Sequence, residues 1–339
     1  MKFGVLDYLT EADVETEVLG KGADVKCYAC TDERELPDEI GELTAVMLWH
    51  MLTVTTETLR RLESCRAIVR VGVGYDNVDC VQAGALGIPV VNIPDYGTND
   101  VADHAFSLLL GITRKLLVYD AAIRNDPVRG WNPDLAGEIH RLTNTTLGIV
   151  GLGRIGTAMA LRAKAFGMAV AFYDPYLPDG YAKALQVERY DSLAELLGRS
   201  DYLSLHVPLT PETQLLINAD VLSGCKPGMT LINTARGKVV SLDAVFEALR
   251  SGRLRAFAAD VLESEPPDPR HPLIAALKNR DPQFDGRIML TPHAAFYAQE
   301  SWREMRIKSA TQMLRAAQGL PLRNCVNANY LKQSRTPLQ

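Results

Sequence analysis

Short apolar runs recur along the first hundred residues and alternate with segments of helical periodicity. The runs are FGVL, VKCYA, AVMLW, AIVRV and PVVNI. Runs of four or five apolar residues without polar alternation are typical of strands buried on both faces of a parallel sheet. Helical segments lie between these runs. Thr55 or Thr56 is a candidate N-cap of one of them, and the last glycine of CVQAGALG ends another before Pro89. The pattern predicts a small doubly wound domain with five strands in βα order.

A second, larger series follows the turn-rich segment DYGTND. It opens with apolar residues at helical spacing from Val101 to Leu116, for which Asn99 or Asp100 is the expected N-cap. Six further apolar runs predict a second parallel sheet with helices on both faces: TLGIV, AVAFY, YLSLH, MTLIN, AFAAD and RIML. The last helical pattern, 299–318, follows the completed sheet and should pack on the first domain. We therefore expect one domain from 1–97 with 297–339 and another from 98–296.

Composition narrows the class of protein. The chain has 339 residues, of which 47% are hydrophobic and 23% charged, as expected for two globular domains. Its net charge of −5 and scattered basic residues give no footprint for nucleic acid. No apolar run approaches the ~20 residues of a bilayer span, and the first residues lack the features of a signal peptide. We expect a soluble, cytoplasmic protein.

The six cysteines do not suggest a disulfide framework, because they lie far apart except for Cys27 and Cys30. That C-x-x-C pair has no second pair of ligands, and VKCYAC is better explained as a strand that alternates faces. We expect reduced thiols and no metal site.

A glycine motif connects the run TLGIV to the next helical segment: Gly151-Leu152-Gly153-Arg154-Ile155-Gly156. G-x-G-x-x-G between a strand and a helix allows a tight turn and lets a pyrophosphate approach the helix N-terminus. Asp174 ends the run AVAFY, about 20 residues further on, where an acid accepts the adenosine ribose hydroxyls. No Arg or Lys stands next to Asp174 to meet a 2′-phosphate. The three elements favour an NAD-binding Rossmann domain over a glycine turn without a ligand.

Three later runs each end in a reactive polar group. Arg236 follows MTLIN, an acidic segment from Asp260 to Glu265 follows AFAAD, and His293 follows RIML. Open α/β sheets bind ligands at the carboxyl ends of their strands. A carbonyl compound that carries a carboxylate could react at such a site, where a cation holds the carboxylate and a proton donor serves the carbonyl oxygen.

Arg236 can supply that cation and His293 the proton. An acid of the segment, Glu263 or Glu265, would orient the imidazole and favour its charged form. The alternatives are a surface ion pair for Arg236 and a structural histidine for His293.

These segments resemble the D-2-hydroxyacid dehydrogenase family, and within it the C-terminal binding protein branch. The resemblance rests on LRAKAFGMAVAFYDPYL, NTARG, DVLESEPP, TPHAAFY and NCVN, and spans roughly residues 40–330. It implies a flavodoxin-like substrate domain and a Rossmann NAD domain, an active-site cleft between them, and a homodimer through the NAD-binding domains. It implies an NAD-dependent 2-hydroxyacid dehydrogenase whose catalytic residues are Arg236, Glu265 and His293. The alternative is an NADH-responsive regulatory protein like the corepressor members of that branch.

The resemblance also implies residues that bind the cofactor and a small 2-oxo or 2-hydroxy acid. The expected cofactor residues are Val73, Thr98, Gly151, Gly153, Arg154, Ile155, Gly156, Asp174, Pro208, Thr213, Thr234, Ala235, Arg236, Asp260, His293 and Ala295. The expected substrate residues are His50, Arg70, Val73, Gly74, Arg236 and Phe296. Bare backbone N–H groups around Gly74 suit a carboxylate, whereas His50 is equally explained as a core or rim residue. Phe296 stands where the branch has tryptophan, so the branch's ligand preference is not carried over. His104 and His206 are expected to be structural.

Overall fold

The structure, a computed structural model, describes residues 1–339. The chain divides into two compact units. The first unit comprises Met1–Gly97 and Tyr297–Gln339, and the second comprises Thr98–Phe296. Each unit contains one sheet in which every pair of neighbouring strands is parallel. None of the helices combines the length and the apolar character that crossing a membrane requires.

The sheet of the first unit confirms the five predicted strands. They are β1 (Lys2–Val5), β2 (Asp24–Cys27), β3 (Ala45–Leu48), β4 (Ile68–Arg70) and β5 (Val90–Asn92), in the order β2-β1-β3-β4-β5. The central strand β3 is buried throughout, as its apolar run predicts. The interpretation of β2 as buried on both faces is wrong, because this strand lies at the edge of the sheet and its residues alternate between exposed and half-buried.

Helices flank this sheet: α1 (Asp13–Leu19), α2 (Thr56–Arg61), α3 (Cys80–Ala85) and a C-terminal helix (Gln299–Gln318). The Thr55 hydroxyl accepts the N–H of Glu57, which confirms Thr55 as the N-cap of α2. The C-terminal helix has the predicted bounds and packs against α1, β3 and β4 of the first unit. The guanidinium of Arg306 on this helix donates from Nε to the fully buried Glu15 of α1 over 2.8 Å.

The sheet of the second unit has seven strands where six were predicted. They are β6 (Thr146–Val150), β7 (Ala169–Tyr173), β8 (Glu188–Arg189), β9 (Tyr202–Leu205), β10 (Met229–Asn233), β11 (Leu254–Ala259) and β12 (Ile288–Leu290). Their order is β12-β11-β10-β9-β6-β7-β8. The missed strand β8 is two charged residues at the edge, and a pattern of apolar runs does not detect it. The six remaining strands confirm the prediction of a second doubly wound parallel sheet.

Two predictions about the long helix of the second unit are wrong. Helix α4 (Thr98–Thr113) begins at Thr98, so Asn99 and Asp100 lie in its first turn and neither is its N-cap. The apolar spacing through Leu116 also does not belong to one helix, because Lys115 adopts φ +56 and separates α4 from α5 (Leu116–Asn125). The other helices are α6 (Arg154–Ala165), α7 (Tyr181–Leu185), α8 (Leu193–Arg199), α9 (Ala219–Ser223), α10 (Leu242–Arg250) and α11 (Pro272–Lys278).

Candidate active site

Three glycines between β6 and α6 meet three different steric demands. Gly151 adopts φ +87, a backbone conformation that side chains other than hydrogen disfavour. A Cβ on Gly156 would lie 2.2 Å from the carbonyl oxygen of Gly151, so only glycine allows α6 to approach β6 there. A Cβ on Gly153 would meet nothing within 4 Å, and no side chain caps α6 at this point. The open space before an uncapped helix N-terminus suits a phosphate group.

The acid at the end of β7 reaches the same loop, because β7 pairs with β6. Oδ2 of Asp174 accepts the N–H of Leu152 over 2.9 Å, and Oδ1 accepts the N–H of Tyr176 over 3.0 Å. Arg154 and Ile155 occupy the first turn of α6, the former exposed and the latter half-buried. The structure thus brings the predicted ribose acid against the predicted phosphate loop.

The loop after β9 is held by its own threonine. The Thr213 hydroxyl donates to the carbonyl of Pro208 over 2.6 Å and accepts the N–H of Thr210 over 2.8 Å. Nε2 of His206, which begins this loop, lies 2.9 Å from the Ser204 hydroxyl, and burial lowers the pKa of His206 to about 4. A neutral histidine within hydrogen-bond distance of a buried serine fits its expected structural role.

The hydroxyl of Thr234 lies buried after β10 without a hydrogen-bond partner. Buried polar atoms almost always have a partner, so an unpaired hydroxyl at the carboxyl end of a strand suits a bound group. The next residue, Ala235, donates its N–H to Oδ1 of Asn233 over 3.0 Å, which fixes the turn that carries Thr234. Both residues were predicted to contact the cofactor.

His293 and Glu265 form a close pair at the ends of β12 and β11. Nδ1 of His293 lies 2.6 Å from Oε2 of Glu265, whose other oxygen accepts the N–H of Leu262 over 3.0 Å. Burial alone would raise the pKa of Glu265. The hydrogen bond and charge of His293, the Leu262 N–H and the charge of Arg236 outweigh burial and hold that pKa below its ordinary value. The competing acid, Glu263, instead accepts the N–H of Leu242 at the start of α10.

Arg236 follows β10 beside this pair. Its guanidinium donates to the carbonyl of Ala235 over 2.8 Å, and its own carbonyl accepts from Nδ2 of Asn233 over 3.0 Å. The neighbouring Gly237 explains the close approach of the two segments, because a Cβ there would lie 1.8 Å from the Leu262 carbonyl oxygen. Three predicted catalytic residues from three adjacent strands therefore meet at one edge of the sheet.

Asp260 holds the backbone of the loop that carries His293. Its Oδ1 accepts the N–H of Ala294 over 2.8 Å, its Oδ2 accepts the N–H of Ala295 over 2.9 Å, and its carbonyl accepts the N–H of His293 over 2.8 Å. The side chain is almost completely buried. His293 adopts φ +53, which is unfavourable for a residue with a side chain and persists only where surrounding bonds impose it. Asp260 supplies those bonds, in addition to its predicted place beside the cofactor.

Two residues of this network were not expected to matter for the site. The Thr291 hydroxyl lies 2.6 Å from Oδ1 of Asp260 and 2.9 Å from Nε2 of His104 on α4. Since an ionised carboxylate only accepts, Thr291 donates to Asp260 and accepts from His104. His104 was expected to be structural, and Thr291 was not among the expected site residues. The only signal for Thr291 in the sequence is its position two residues before His293.

The predicted substrate residues are divided between the two units. Phe296 of the second unit packs edge-to-face against His293, with ring centroids 6.3 Å apart. His50, Arg70, Val73 and Gly74 belong to the first unit, at or after the ends of β3 and β4. Val73, also expected near the cofactor, therefore lies in a different unit from the other cofactor residues.

Within the first unit, Arg70 is folded back on its own strand end. Its guanidinium donates to the Val71 carbonyl and to Oδ1 of Asn77, the latter over 3.3 Å. Only 7% of Arg70 is exposed. The carbonyl of Val73 accepts from Nδ2 of Asn92 over 2.6 Å, so a side chain of β5 helps to fix the glycine turn after β4.

Comparison with known proteins points to the same family that the sequence motifs resemble. Residues 106–295 match the family model described as D-isomer specific 2-hydroxyacid dehydrogenase, NAD binding domain. The chain is 31% identical over 97% of its length to C-terminal-binding protein 1 of Caenorhabditis elegans, and 33% identical over 99% to D-3-phosphoglycerate dehydrogenase of Methanocaldococcus jannaschii. It spans only 45% and 61%, respectively, of those two relatives.

A solved structure is similar over almost its full length. D-lactate dehydrogenase from Aquifex aeolicus, complexed with NAD and lactic acid, is 29% identical with a TM-score of 0.81, over 94% of this chain and 96% of that one. The matched family model covers more than half of the chain, including all three residues of the His293, Glu265 and Arg236 cluster. The chain belongs to the D-isomer specific 2-hydroxyacid dehydrogenase family.

Proposed function

We propose that the chain is an NAD-dependent 2-hydroxyacid dehydrogenase that works as a 2-oxo acid reductase. The observation that carries the proposal is the 2.6 Å contact between His293 and Glu265, with the charge of Arg236 beside it. This arrangement combines a proton donor, an anion that stabilises its charged form and a cation for a carboxylate. The A. aeolicus relative, crystallised with NAD and lactic acid, supports the same reaction class.

The three residues have separate roles in the proposed reaction. The guanidinium of Arg236 holds the substrate carboxylate and polarises the C2 carbonyl. Because ionised Glu265 accepts a hydrogen bond, Nδ1 of His293 carries hydrogen and Nε2 exchanges a proton with the substrate oxygen. When bound, NADH supplies the hydride that adds to C2, and the proton from His293 completes the hydroxyl group. Oxidation of a 2-hydroxy acid reverses both transfers.

The second unit has a donor set that fits NAD. We assign the pyrophosphate to the loop of Gly151, Gly153 and Gly156, and the ribose hydroxyls to Asp174. The unpaired Thr234 hydroxyl is available to the bound cofactor. The remaining proposed contacts of the second unit are Thr98, Arg154, Ile155, Pro208, Thr213, Ala235, Arg236, Asp260, His293 and Ala295, and Val73 of the first unit is also proposed as a cofactor contact. For the substrate we propose His50, Arg70, Val73, Gly74, Arg236 and Phe296.

We further propose a homodimer formed through the second unit. Helix α5 has no buried residue, and the segment after it exposes 85% of Val128 and 79% of Trp131. Exposed apolar side chains that lie close together mark interaction surfaces more often than isolated ones do. We also propose a reducing, cytoplasmic location, in keeping with cysteines that, apart from Cys27 and Cys30, lie far apart in the sequence.

The second candidate function is an NADH-responsive regulatory protein, favoured by the identity to C-terminal-binding protein 1. The two functions are separated by NADH oxidation assays of the purified chain with glyoxylate, hydroxypyruvate, pyruvate and phenylpyruvate. We expect saturable turnover of at least one of these acids. Tight NADH binding without turnover of any of them would favour the regulatory function instead.

A further inference from the structure

Aromatic side chains gather at the carboxyl edge of the sheet in the first unit. Tyr8 follows β1, Trp49 and His50 follow β3, and Trp302 lies in the first turn of the C-terminal helix. The ring of Tyr8 stacks on Trp49 at a centroid distance of 5.0 Å and lies 5.0 Å from His50 and 5.7 Å from Trp302. Tyr297 packs edge-to-face on Trp302 at 5.8 Å. We call these five residues the aromatic surface.

The aromatic surface has a buried base and an exposed face. Trp49 is completely buried, and its indole N–H has no hydrogen-bond partner. In contrast, Tyr8 is 42% exposed and Tyr297 is 61% exposed, and the neighbouring Met51 is 49% exposed. Large apolar side chains that are clustered and accessible mark binding surfaces more often than isolated ones do. Their location at the carboxyl ends of parallel strands points to a small ligand.

Hydrogen bonds of a buried carboxylate fix the backbone that carries the aromatic surface. The carboxylate of Asp7, which is fully buried, accepts the N–H groups of Trp49, Met51 and Leu52 at distances of 2.6 to 3.0 Å. The residue after Asp7, Tyr8, adopts φ +69. A tyrosine in this conformation is strained, and such strain is concentrated at functional sites. The ends of β1 and β3 are thus tied together in a fixed arrangement.

The predicted carboxylate site of the same unit lies within reach of this surface. Leu48 of β3 pairs with Arg70 of β4, so the glycine turn around Gly74 follows the strand next to the one that ends in His50. Adjacent strands are about 4.8 Å apart, and β1 lies one further strand away. A substrate whose carboxylate binds at Gly74 therefore extends its side chain towards Tyr8 only if that side chain is large.

The charges near the aromatic surface also restrict which substrate side chain could bind there. The arginines of the nearest turns of the C-terminal helix are already paired with carboxylates of α1, Arg303 with Glu17 and Arg306 with Asp13 and Glu15. The aromatic surface therefore offers rings, and the adjoining helix offers cations whose charge is already neutralised. This combination suits an uncharged apolar group and disfavours a phosphate or a second carboxylate.

We propose that the aromatic surface binds the substrate side chain, and that the substrate is a 2-oxo acid with an aromatic or similarly bulky apolar side chain. This inference rests on the proposed function, since it specifies the substrate of the same reaction. Ring stacking on Tyr8 and Trp302 supplies the selectivity, and the reaction itself is unchanged.

The first test compares kcat/KM of the full chain for phenylpyruvate, pyruvate, glyoxylate and 3-phosphohydroxypyruvate, with NADH as reductant. We expect phenylpyruvate to exceed each of the others by at least about tenfold, the smallest gain expected from filling an apolar pocket. Tyr8→Gly removes one ring and relieves the strain at φ +69, so this variant should fold. It should lose most of the preference for phenylpyruvate, through a rise in KM for phenylpyruvate that exceeds any change in KM for pyruvate.

Two further variants complete the set. Trp302→Leu keeps an apolar side chain on the helix and should reduce the same preference. Tyr330→Leu changes a half-exposed tyrosine of the first unit outside the aromatic surface, and should leave the preference unchanged. Equal losses in Tyr330→Leu and Tyr8→Gly, or a wild-type preference for glyoxylate or 3-phosphohydroxypyruvate, would overturn the inference while leaving the proposed function intact.

A binding measurement separates the two proposals in the other direction. Two of the three tryptophans, Trp49 and Trp302, belong to the aromatic surface, so an aromatic ligand there should change the intrinsic fluorescence. We expect 3-phenyllactate to give a saturable change that lactate does not give and that Tyr8→Gly weakens about tenfold. This result without turnover of any 2-oxo acid would reject the dehydrogenase and retain the binding surface. No difference between 3-phenyllactate and lactate would reject the surface.

Discussion

The hydroxyl of Thr291 donates to Oδ1 of Asp260 over 2.6 Å, and this bond joins two parts of the site. On one side, Nε2 of His104 lies 2.9 Å from the same hydroxyl. On the other, Asp260 accepts three backbone N–H groups of the loop that carries His293, one at its carbonyl and two at its carboxylate. We therefore propose that Thr291 positions the loop that carries the His293 imidazole, in which His293 adopts φ +53.

Replacement of this hydroxyl tests the positioning role. Thr291→Val keeps the shape of the side chain but removes the donor, so the Asp260 carboxylate loses one bond and the His293 loop gains freedom. We expect kcat for 2-oxo acid reduction to fall by about 10- to 100-fold, since small misplacements of catalytic groups are costly. NADH affinity should change much less. Thr291→Ser retains the hydroxyl and should restore most of the activity, and equal activities of Val and Ser variants would contradict the role.

The pair of Glu265 and His293 predicts a shift in the pH profile. The pKa of Glu265 lies below its ordinary value of 4.5, so this group stays ionised across the neutral range and loses its charge only as the pH falls through that lowered pKa. Glu265→Gln removes this ionised partner of His293. We therefore expect kcat/KM for reduction to fall by at least about tenfold at neutral pH, and to lose the dependence on ionisation of Glu265 that the wild type shows as the pH is lowered.

The measurement is kcat/KM for reduction between pH 5 and 9. Glu263→Gln is the matched control, because Glu263 accepts the N–H of Leu242 and does not contact His293. A profile of Glu265→Gln that coincides with the wild type would reject the assigned acid.

Cofactor preference tests the role of Asp174. Asp174→Asn keeps an oxygen that can accept the N–H of Leu152, and removes the charge that repels a 2′-phosphate. We expect KM for NADH to rise about tenfold and the preference for NADH over NADPH to fall. Asp179→Asn, a fully exposed aspartate in the same loop, should change neither value. Equal use of both cofactors by the wild type would contradict the proposal.

If the chain forms the proposed dimer, one substitution should lower its mass in solution. Trp131→Ser removes the largest exposed side chain after α5, and should shift the sedimentation equilibrium from dimer towards monomer. Leu320→Ser removes a 42% exposed apolar side chain of the first unit and should leave the mass unchanged. A wild-type chain that sediments as a monomer at micromolar concentration would exclude the dimer.

The sequence predicted the elements that depend on buried strands and glycine. Strand β6, the glycine loop and Asp174 were recognised together, because a parallel sheet brings the carboxyl ends of adjacent strands to one edge. The same rule predicts that Arg236, Glu265 and His293 lie near one another, because each follows a strand of that sheet.

Other features depend on information that local patterns do not contain. The break at Lys115 results from one left-handed residue, and apolar spacing continues across it unchanged. Strand β8 has no apolar residue. It is a strand only because it pairs with the edge of the sheet, and apolar runs do not reveal that pairing. The bonds of Asp260 to the His293 loop, and the contact of Tyr8 with Trp302, join positions far apart in the sequence. Tertiary structure alone creates them.

The final prediction concerns the contact that joins the C-terminal helix to the start of the chain. Arg306 and Glu15 are both buried, with 8% and 0% of their side chains exposed. Removal of one partner leaves an uncompensated charge in a low dielectric, so Glu15→Ala should lower the free energy of unfolding of the first unit by about 3 kcal/mol. Asp13, which also contacts Arg306, keeps the loss towards the lower end of the usual range.

Two control proteins separate charge burial from simple loss of a contact. Glu17→Ala breaks the exposed pair with Arg303 on the same two helices, and should cost less than about 1 kcal/mol. The double replacement of Glu15 and Arg306 by methionine removes both buried charges together, and should cost clearly less than Glu15→Ala alone. Urea unfolding monitored by tryptophan fluorescence measures all three, because Trp49 and Trp302 report on the first unit. If Glu15→Ala and Glu17→Ala have the same midpoint, the buried pair does not hold the C-terminal helix in place.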